Sequence, residues 1–387
     1  MFSRRTDWNL APNRLSLAQQ EAVRDGKRVL DLTLSNPTRA GIEYDESAIL
    51  NALRSPKALD YDPQPKGLLG ARKAVAKYYA SRSAAIDPEH LFLTTSTSEG
   101  YSFVFRLLCE AGDEVLVPKP SYPLFDFLAD LEDVRPVPYS LIYDHGWQID
   151  FHSLEAACTE RTRAIVLVHP NNPTGSYVSD AERESLNALC RERNLALIVD
   201  EVFLDYALDT QPRGSFVTNN EALTFTLSGL SKISALPQMK LAWIAVSGPA
   251  SQAQPAVQRL EIIADTYLSL NAPIQLAASV LLEQRKTIQP QLLRRVQGNL
   301  AELDRQLSRQ KACSRLEIQG GWYAIVRIPV TRSDEDFAIE LLTHDSVLVH
   351  PGHFYDFPAD GHVVSSLITP EQEFSAGISA LLQSVEL

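Results

Sequence analysis

The chain has 387 residues, 45% of them hydrophobic and 22% charged, with a formal net charge of −12. That length and balance imply a globular protein of about two domains with a large core. The acidic excess, spread over both signs, argues against nucleic acid or an anionic membrane as partner, while allowing a local positive pocket.

The first 45 or so residues are rich in Asn, Pro and Arg and are expected to lie across a cleft. The arginines Arg4 and Arg5 have no apolar run behind them, and no segment reaches the roughly 18 apolar residues of a membrane span. Cys109, Cys158, Cys190 and Cys313 are widely spaced without a C-x-x-C pair, as expected of thiols in a reducing compartment. A cytoplasmic protein is the expectation. From about residue 65 to 250, short β-branched or leucine-rich runs alternate with helical patterns. Strands are predicted at 91–94, 114–117, 134–138, 164–168, 195–199, 224–227 and 241–246. Helices are predicted over 67–81 and 179–193, the second opened by the capping box Ser179-x-x-Glu182. Residues 254–310 read as mostly helical, with breaks near Asn271-Ala272-Pro273 and at Pro290. A strand at 321–328, a helix at 334–343, a strand at 346–349 and a closing helix from Pro370 follow. The alternation predicts an α/β fold: a three-layer large domain on a mostly parallel sheet over 46–272. A smaller α+β domain would be built from 1–45 plus 273–387.

Three strand-then-polar junctions carry the chemistry. Residues 164–168 run into His169-Pro170-Asn171-Asn172-Pro173-Thr174-Gly175. Residues 195–199 run into Asp200-Glu201-Val202-Phe203, and 224–227 into Ser228-Gly229-Leu230-Ser231-Lys232. Open α/β sheets bind ligands outside the carboxyl ends of their strands, so Asn172, Asp200 and Lys232 converge if these strands are parallel neighbours. A lysine, a carboxylate and an amide are what pyridoxal 5'-phosphate needs as partners for its aldehyde, pyridine nitrogen and phenolate oxygen. Taken alone, Asn172 also reads as a turn residue and Asp200 as a helix N-cap. The eight histidines show no metal-ligand spacing: His350 and His353 flank the turn Pro351-Gly352, and no metal is expected.

The order of these motifs resembles the class I/II aminotransferases of pyridoxal-phosphate fold type I, the group of aspartate and alanine aminotransferases. Tyr61 with Gly67 and Arg72, Gly112 to Val115, Pro120 to Pro123 and Val349 to Gly352 extend the resemblance over nearly the whole chain. It implies an aminotransferase that moves an amino group from an amino acid donor to a 2-oxo acid or related carbonyl. Lys232 would be the Schiff-base lysine and the base that moves the substrate's α-proton. Asp200 would pair with the pyridine nitrogen and Asn172 with the phenolate oxygen. Tyr122 would stack on the ring, a core tyrosine being the competing reading. Ser96 and Thr97, at a helix start, would hold the phosphate with Ser231 and Lys240. Tyr61 would reach the phosphate of a second subunit, implying a homodimer.

Several positions depart from the family pattern. Ser96 stands for a usual glycine, Lys240 for a phosphate-binding arginine, Gly229 for a serine and Phe203 for a tyrosine. Val364 stands where the resemblance places the arginine that holds the substrate carboxylate. Arg39, in the N-terminal segment, is the candidate replacement; a solvated loop arginine is the plain alternative. The same constellation also serves lyases, decarboxylases and oxidases. A non-catalytic effector-binding module is a further alternative, disfavoured because no basic DNA-binding region is seen.

Overall fold

The computed structural model describes residues 1–211 and 213–386. Eight strands form one sheet: β1 (Leu91–Thr94), β2 (Glu114–Lys119), β3 (Arg135–Tyr143), β4 (Trp147–Ile149), β5 (Thr162–Val168), β6 (Ala196–Asp200), β7 (Thr224–Gly229) and β8 (Ala242–Ser247). Their spatial order is β1-β8-β7-β6-β5-β2-β3-β4. Pairing from β7 through β6, β5 and β2 to β3 is parallel; β8 runs antiparallel to both of its neighbours, and β4 folds back on β3. Each expected strand is present. The exception in extent is β3, which continues past Pro138 to Tyr143 because it turns back as a hairpin with β4.

Period-2 alternation sorts the buried side chains to two faces. Val115, Val117, Val166, Ile198, Phe225 and Ile244 pack under α3 (Thr97–Leu108), α4 (Leu124–Leu131) and α6 (Ala250–Tyr267). On the other face, Leu116, Ile165, Leu197 and Val199 pack with α5 (Asp180–Arg193). Leu91, Leu93 and Trp243 pack with α2 (Leu69–Ala80) and α7 (Ala272–Glu283). This gives the three layers. The capping box at α5 is formed: Ser179 Oγ accepts from Glu182 N, and Ser179 N donates to Glu182 Oε2.

The rest of the chain builds a four-stranded antiparallel sheet in the order β9-β10-β12-β11. Its strands are β9 (Ser314–Arg315), β10 (Tyr323–Arg327), β11 (His350–Pro351) and β12 (His362–Ser366). It shares a core with α8 (Arg285–Leu307), α9 (Asp334–Asp345) and α10 (Glu371–Glu386). Helix α1 (Arg14–Arg24) lies against α9, with Arg14 bonding Glu335 and Asp336. Leu30–Asp31 pairs in parallel with Val347–Leu348. The expected break at Pro290 is not there: Pro290 lies inside α8. It sits in the second turn, where its ring removes one helical bond and crowds the Lys286 carbonyl, and the burial of Ile288, Leu292 and Val296 carries the helix through it; the break falls at the α7–α8 junction instead.

Candidate active site

The parallel register aligns three strand ends. Val168 of β5 stands opposite Asp200 of β6, and Asp200 opposite Leu227 of β7. The antiparallel β8 closes the rim, since Ala242 pairs with Gly229 on one side and with Thr94 of β1 on the other. Asn172, Asp200, Lys232 and the N-terminus of α3 therefore gather along one edge of the sheet.

Lys232 sits in a single helical turn, Leu230–Ile233, that follows β7 directly. Its Nζ lies 4.8 Å from the ring centre of Trp322 and 5.4 Å from that of Phe203. Burial lowers its pKa from the ordinary 10.5 to about 8, and the charge of Asp200 pulls it back up. Asp200 is pushed up from 3.8 to about 6, chiefly by burial. Opposing that push are bonds from Val202 N at 3.1 Å and Tyr101 Oη at 3.4 Å, and the charge of Lys232. A half-buried carboxylate with so few donors, beside a desolvated amine, is suited to a cationic partner.

Asn172 is buried; its Oδ1, an acceptor, has no hydrogen-bond partner, and its amide nitrogen donates to none of the described residues, which leaves that N–H for a ligand oxygen. Its neighbour Asn171 instead fixes the loop, accepting from Ser121 Oγ at 2.9 Å and donating to Pro120 O and Thr174 Oγ1. That ties the loop to Tyr122, whose side chain is about half exposed at 47% and lies within electrostatic reach of Asp200.

Ser96 is the N-cap of α3, its Oγ accepting from Glu99 N at 3.2 Å. The hydroxyl proton remains available, and Thr97 begins the helix, so backbone and hydroxyl donors face the rim. Gly229 has a packing reason: a Cβ there would meet Ala242 Cβ at 2.9 Å and Leu241 O at 3.0 Å. Of the two serines that could replace a hydroxyl at 229, Ser228 is buried and turned to Glu201 O at 3.4 Å, while Ser231 is only partly buried. Lys240 is exposed, in the left-handed region at φ +50°, just before β8.

Two expected residues lie apart from this group within one subunit. Tyr61 is 84% exposed and lines a surface concavity of about 440 Å³ with Leu268 and Asn271. Arg39 is exposed in the short turn Pro37–Arg39. The segment holding Arg39 is nevertheless laid along β12: Ser366 N bonds Leu32 O at 2.6 Å and Ser366 Oγ bonds Leu34 O. Val364, in the middle of β12, is buried.

Sequence reasoning missed Tyr101, Tyr206 and Trp322. Tyr101 comes up from α3 under Asp200, and Trp322 reaches the lysine from the far sheet. No local motif marks them, because each acts across a long sequence separation.

The sheet order, the smaller antiparallel sheet and the half-buried lysine beside a strand-end carboxylate define a pyridoxal-phosphate enzyme of fold type I. The chain belongs to the aminotransferase class I and II family, whose sequence model matches residues 30–372. It is 29% identical over 369 residues to the alanine aminotransferase of Mycobacterium tuberculosis, covering 92% of this chain and 85% of that one. To the glutamate-pyruvate aminotransferase AlaA of Haemophilus influenzae it is 28% identical over 357 residues, covering 89% and 88%. The solved alanine aminotransferase of Pyrococcus furiosus superposes with a TM-score of 0.89 at 23% identity, over 100% of both chains, and so shares the fold. The protein is a pyridoxal-phosphate-dependent aminotransferase acting on amino acids and 2-oxo acids. Among the described residues no group of acids, histidines and cysteines could hold a metal, and no helix is long and apolar enough to cross a membrane.

Proposed function

We propose that the enzyme takes its amino group from a small amino acid of the alanine or glutamate class and passes it to a 2-oxo acid, with Lys232 as the catalytic amine. The observation that carries this reading is the desolvated Lys232 amine beside Asp200 at the ends of adjacent parallel strands. The names of the relatives, aligned over most of their length, support the donor class.

Bound pyridoxal phosphate supplies an aldehyde carbon and an electron-withdrawing ring. Lys232 would hold the group through that carbon and, as a neutral amine, would take the proton from the donor's α-carbon. Its desolvation favours the neutral form needed for the proton transfer, and outweighs the pull of the Asp200 charge the other way. Asp200 keeps a proton on the ring nitrogen, and Tyr101 and Val202 N orient that carboxylate. Asn172 donates to the phenolate oxygen, acting there without help from Phe203, which has no hydroxyl. Tyr122 covers one ring face. Ser96, Thr97, Ser231 and Lys240 hold the phosphate, Lys240 as a point charge in place of a planar fork.

The assembly is a homodimer, with Tyr61 of the partner subunit completing each phosphate site. Exposed apolar side chains support this: Leu59, Tyr61, Ile262, Tyr267 and Leu268 lie in solvent in the single chain. Arg39 holds the donor carboxylate in place of a residue at Val364, a reading supported by the bonds that lay its segment along β12. The thiols Cys109, Cys158 and Cys190 fit a cytoplasmic protein.

The test is a half-reaction. Holoenzyme mixed with alanine or glutamate alone converts its cofactor to the amine form and releases one equivalent of 2-oxo acid per site. Continuous ammonia release without an acceptor would instead mark a lyase or oxidase.

A further inference from the structure

A helix leaves its last carbonyls short of intrahelical partners, and in a helix of one turn these are most of its carbonyls. Leu230–Ile233 is such a turn, and it carries Lys232. Ser234 N and Leu236 N meet Leu230 O, and Ala235 N meets Lys232 O at 3.2 Å; side chains supply further donors to the turn and to Ala235 just beyond it. Tyr206 Oη donates to Lys232 O at 2.6 Å, Gln289 Nε2 donates to Ile233 O at 2.8 Å, and Tyr44 Oη donates to Ala235 O at 2.9 Å. Ala235 itself is held at φ +50°, a conformation an alanine keeps only when its surroundings enforce it.

The three side chains come from three separate stretches. Tyr206 follows β6. Gln289 belongs to the first turns of α8, whose later residues Leu292 and Val296 lie in the core of the smaller sheet. Tyr44 belongs to the N-terminal segment. Gln289 is itself fixed by Asp205 Oδ2 at 2.6 Å, and Asp205 also takes Tyr78 Oη at 3.1 Å and pairs with Arg82. The fully buried ring of Tyr206 packs edge-on against Trp322 at 5.0 Å, the same indole that faces the Lys232 amine. One tyrosine thus fixes the main chain of Lys232 and the surface on which its side chain rests.

We propose that Tyr206, Gln289 and Tyr44 are positioning residues for Lys232, clamping its turn so that the amine returns to one place after each displacement. The inference rests on the reading of Lys232 as the catalytic amine. A lysine has four rotatable side-chain bonds, and its main-chain origin is the part the fold can hold. A shift of about 1 Å in a reacting group can cost about a hundredfold in rate. Because Gln289 and Tyr44 reach the turn from the smaller sheet's helix and from the N-terminal segment, movement of either is felt at Lys232.

The holoenzyme is compared with Tyr206→Phe, Gln289→Leu and Tyr139→Phe. The last removes a buried tyrosine-to-carbonyl bond, Tyr139 Oη to Val166 O at 2.8 Å, away from the turn. The readouts are kcat, KM, the pH midpoint of the bound cofactor's absorbance and the thermal midpoint. Borohydride fixation with peptide mapping identifies the attached lysine. Asp200 is the charged group that bears on Lys232, beside the rings of Phe203 and Trp322, and all three are unchanged in these variants. Tyr206→Phe and Gln289→Leu are expected to lower kcat about ten- to a hundredfold with KM within about twofold. Both are also expected to shift the absorbance midpoint by about half a pH unit. Tyr139→Phe is expected to lower the thermal midpoint alone. Wild-type kcat and midpoint in both turn variants would overturn the inference while leaving Lys232 as the catalytic amine; if Tyr206→Phe does not fold, Gln289→Leu decides. Fixation at a lysine other than Lys232 in the wild type would overturn the underlying reading itself.

Discussion

Asp200 stands directly opposite Leu227 in the parallel register of β6 and β7, and that pairing sets the distance between the site's acid and its amine. The strand that ends at Gly229 turns at once into the helix of Lys232, so the amine comes back over the rim where Asp200 is held. Each group shifts the other: the carboxylate draws the lysine's pKa up, and the lysine draws the carboxylate's down, against the opposite push of burial on both.

This coupling is measurable in the cofactor-free enzyme. Acylation of Lys232 by an amine-selective reagent, followed by mass spectrometry, is expected to have its pH midpoint near 8 rather than 10.5. Asp200→Asn removes the charge that raises this value, so the midpoint moves lower still. A midpoint unchanged by the substitution would show that the two groups do not interact.

Glu201 gives a stability prediction. It is buried beside Asp200, accepts from Ser215 Oγ at 2.7 Å and Phe216 N at 2.6 Å, and is pushed by burial from 4.5 to about 7. A carboxyl whose folded pKa is raised binds its proton more tightly in the folded state. Its contribution is fully present below the unfolded value and is lost as pH rises through the folded one. Thermal stability of the cofactor-free protein is therefore expected to fall between about pH 4.5 and 7, with a contribution from this group of about 3 kcal/mol at 1.36 kcal/mol per unit. Glu201→Gln is expected to flatten that fall; an equally steep fall in the variant would assign it to other groups.

Arg39→Ala tests how the donor carboxylate is held. Loss of a charged clamp of this kind costs about 2–4 kcal/mol, or about thirty- to a thousandfold in kcat/KM, for an amino acid donor. Cofactor affinity is expected to stay unchanged, and a simple amine without the carboxylate is expected to lose little. Intact amino acid turnover would place the carboxylate elsewhere.

Assembly is tested by sedimentation. The wild type is expected to sediment as a dimer, and Leu59→Asp, which puts a charge on a side chain 90% exposed in the single chain, as a monomer with weakened cofactor binding. Tyr61→Phe is expected to weaken the cofactor while leaving the dimer intact. A wild-type monomer with full activity would contradict shared sites.

Much of this was legible in the sequence, for physical reasons. Buried parallel strands read as continuous apolar runs, so β5, β6 and β7 announced themselves, and a reactive side chain just past a strand end has a predictable place. The strand at 134–138 was read despite Pro136 and Pro138, which sit next to the sheet edge here, but its continuation to Tyr143 was not, because that part is fixed by pairing with the three-residue return strand β4. Pro290 read as a helix break, but the burial of Ile288, Leu292 and Val296 in the core carries α8 through it, which no local pattern shows. The reason for Gly229 lay in the close approach of Ala242, which no local pattern reveals. Likewise Trp322 and Tyr206 are set beside Lys232 by tertiary packing alone.

The most direct test of the central claim is chemical. Borohydride reduction of the yellow holoenzyme, followed by proteolysis and mass spectrometry, is predicted to fix one cofactor per chain on Lys232. In Lys232→Ala no fixed cofactor is expected, with kcat lower by about ten-thousandfold, the scale of a lost general base. Cofactor fixed on another lysine, or a Lys232→Ala enzyme that turns over normally, would contradict the account.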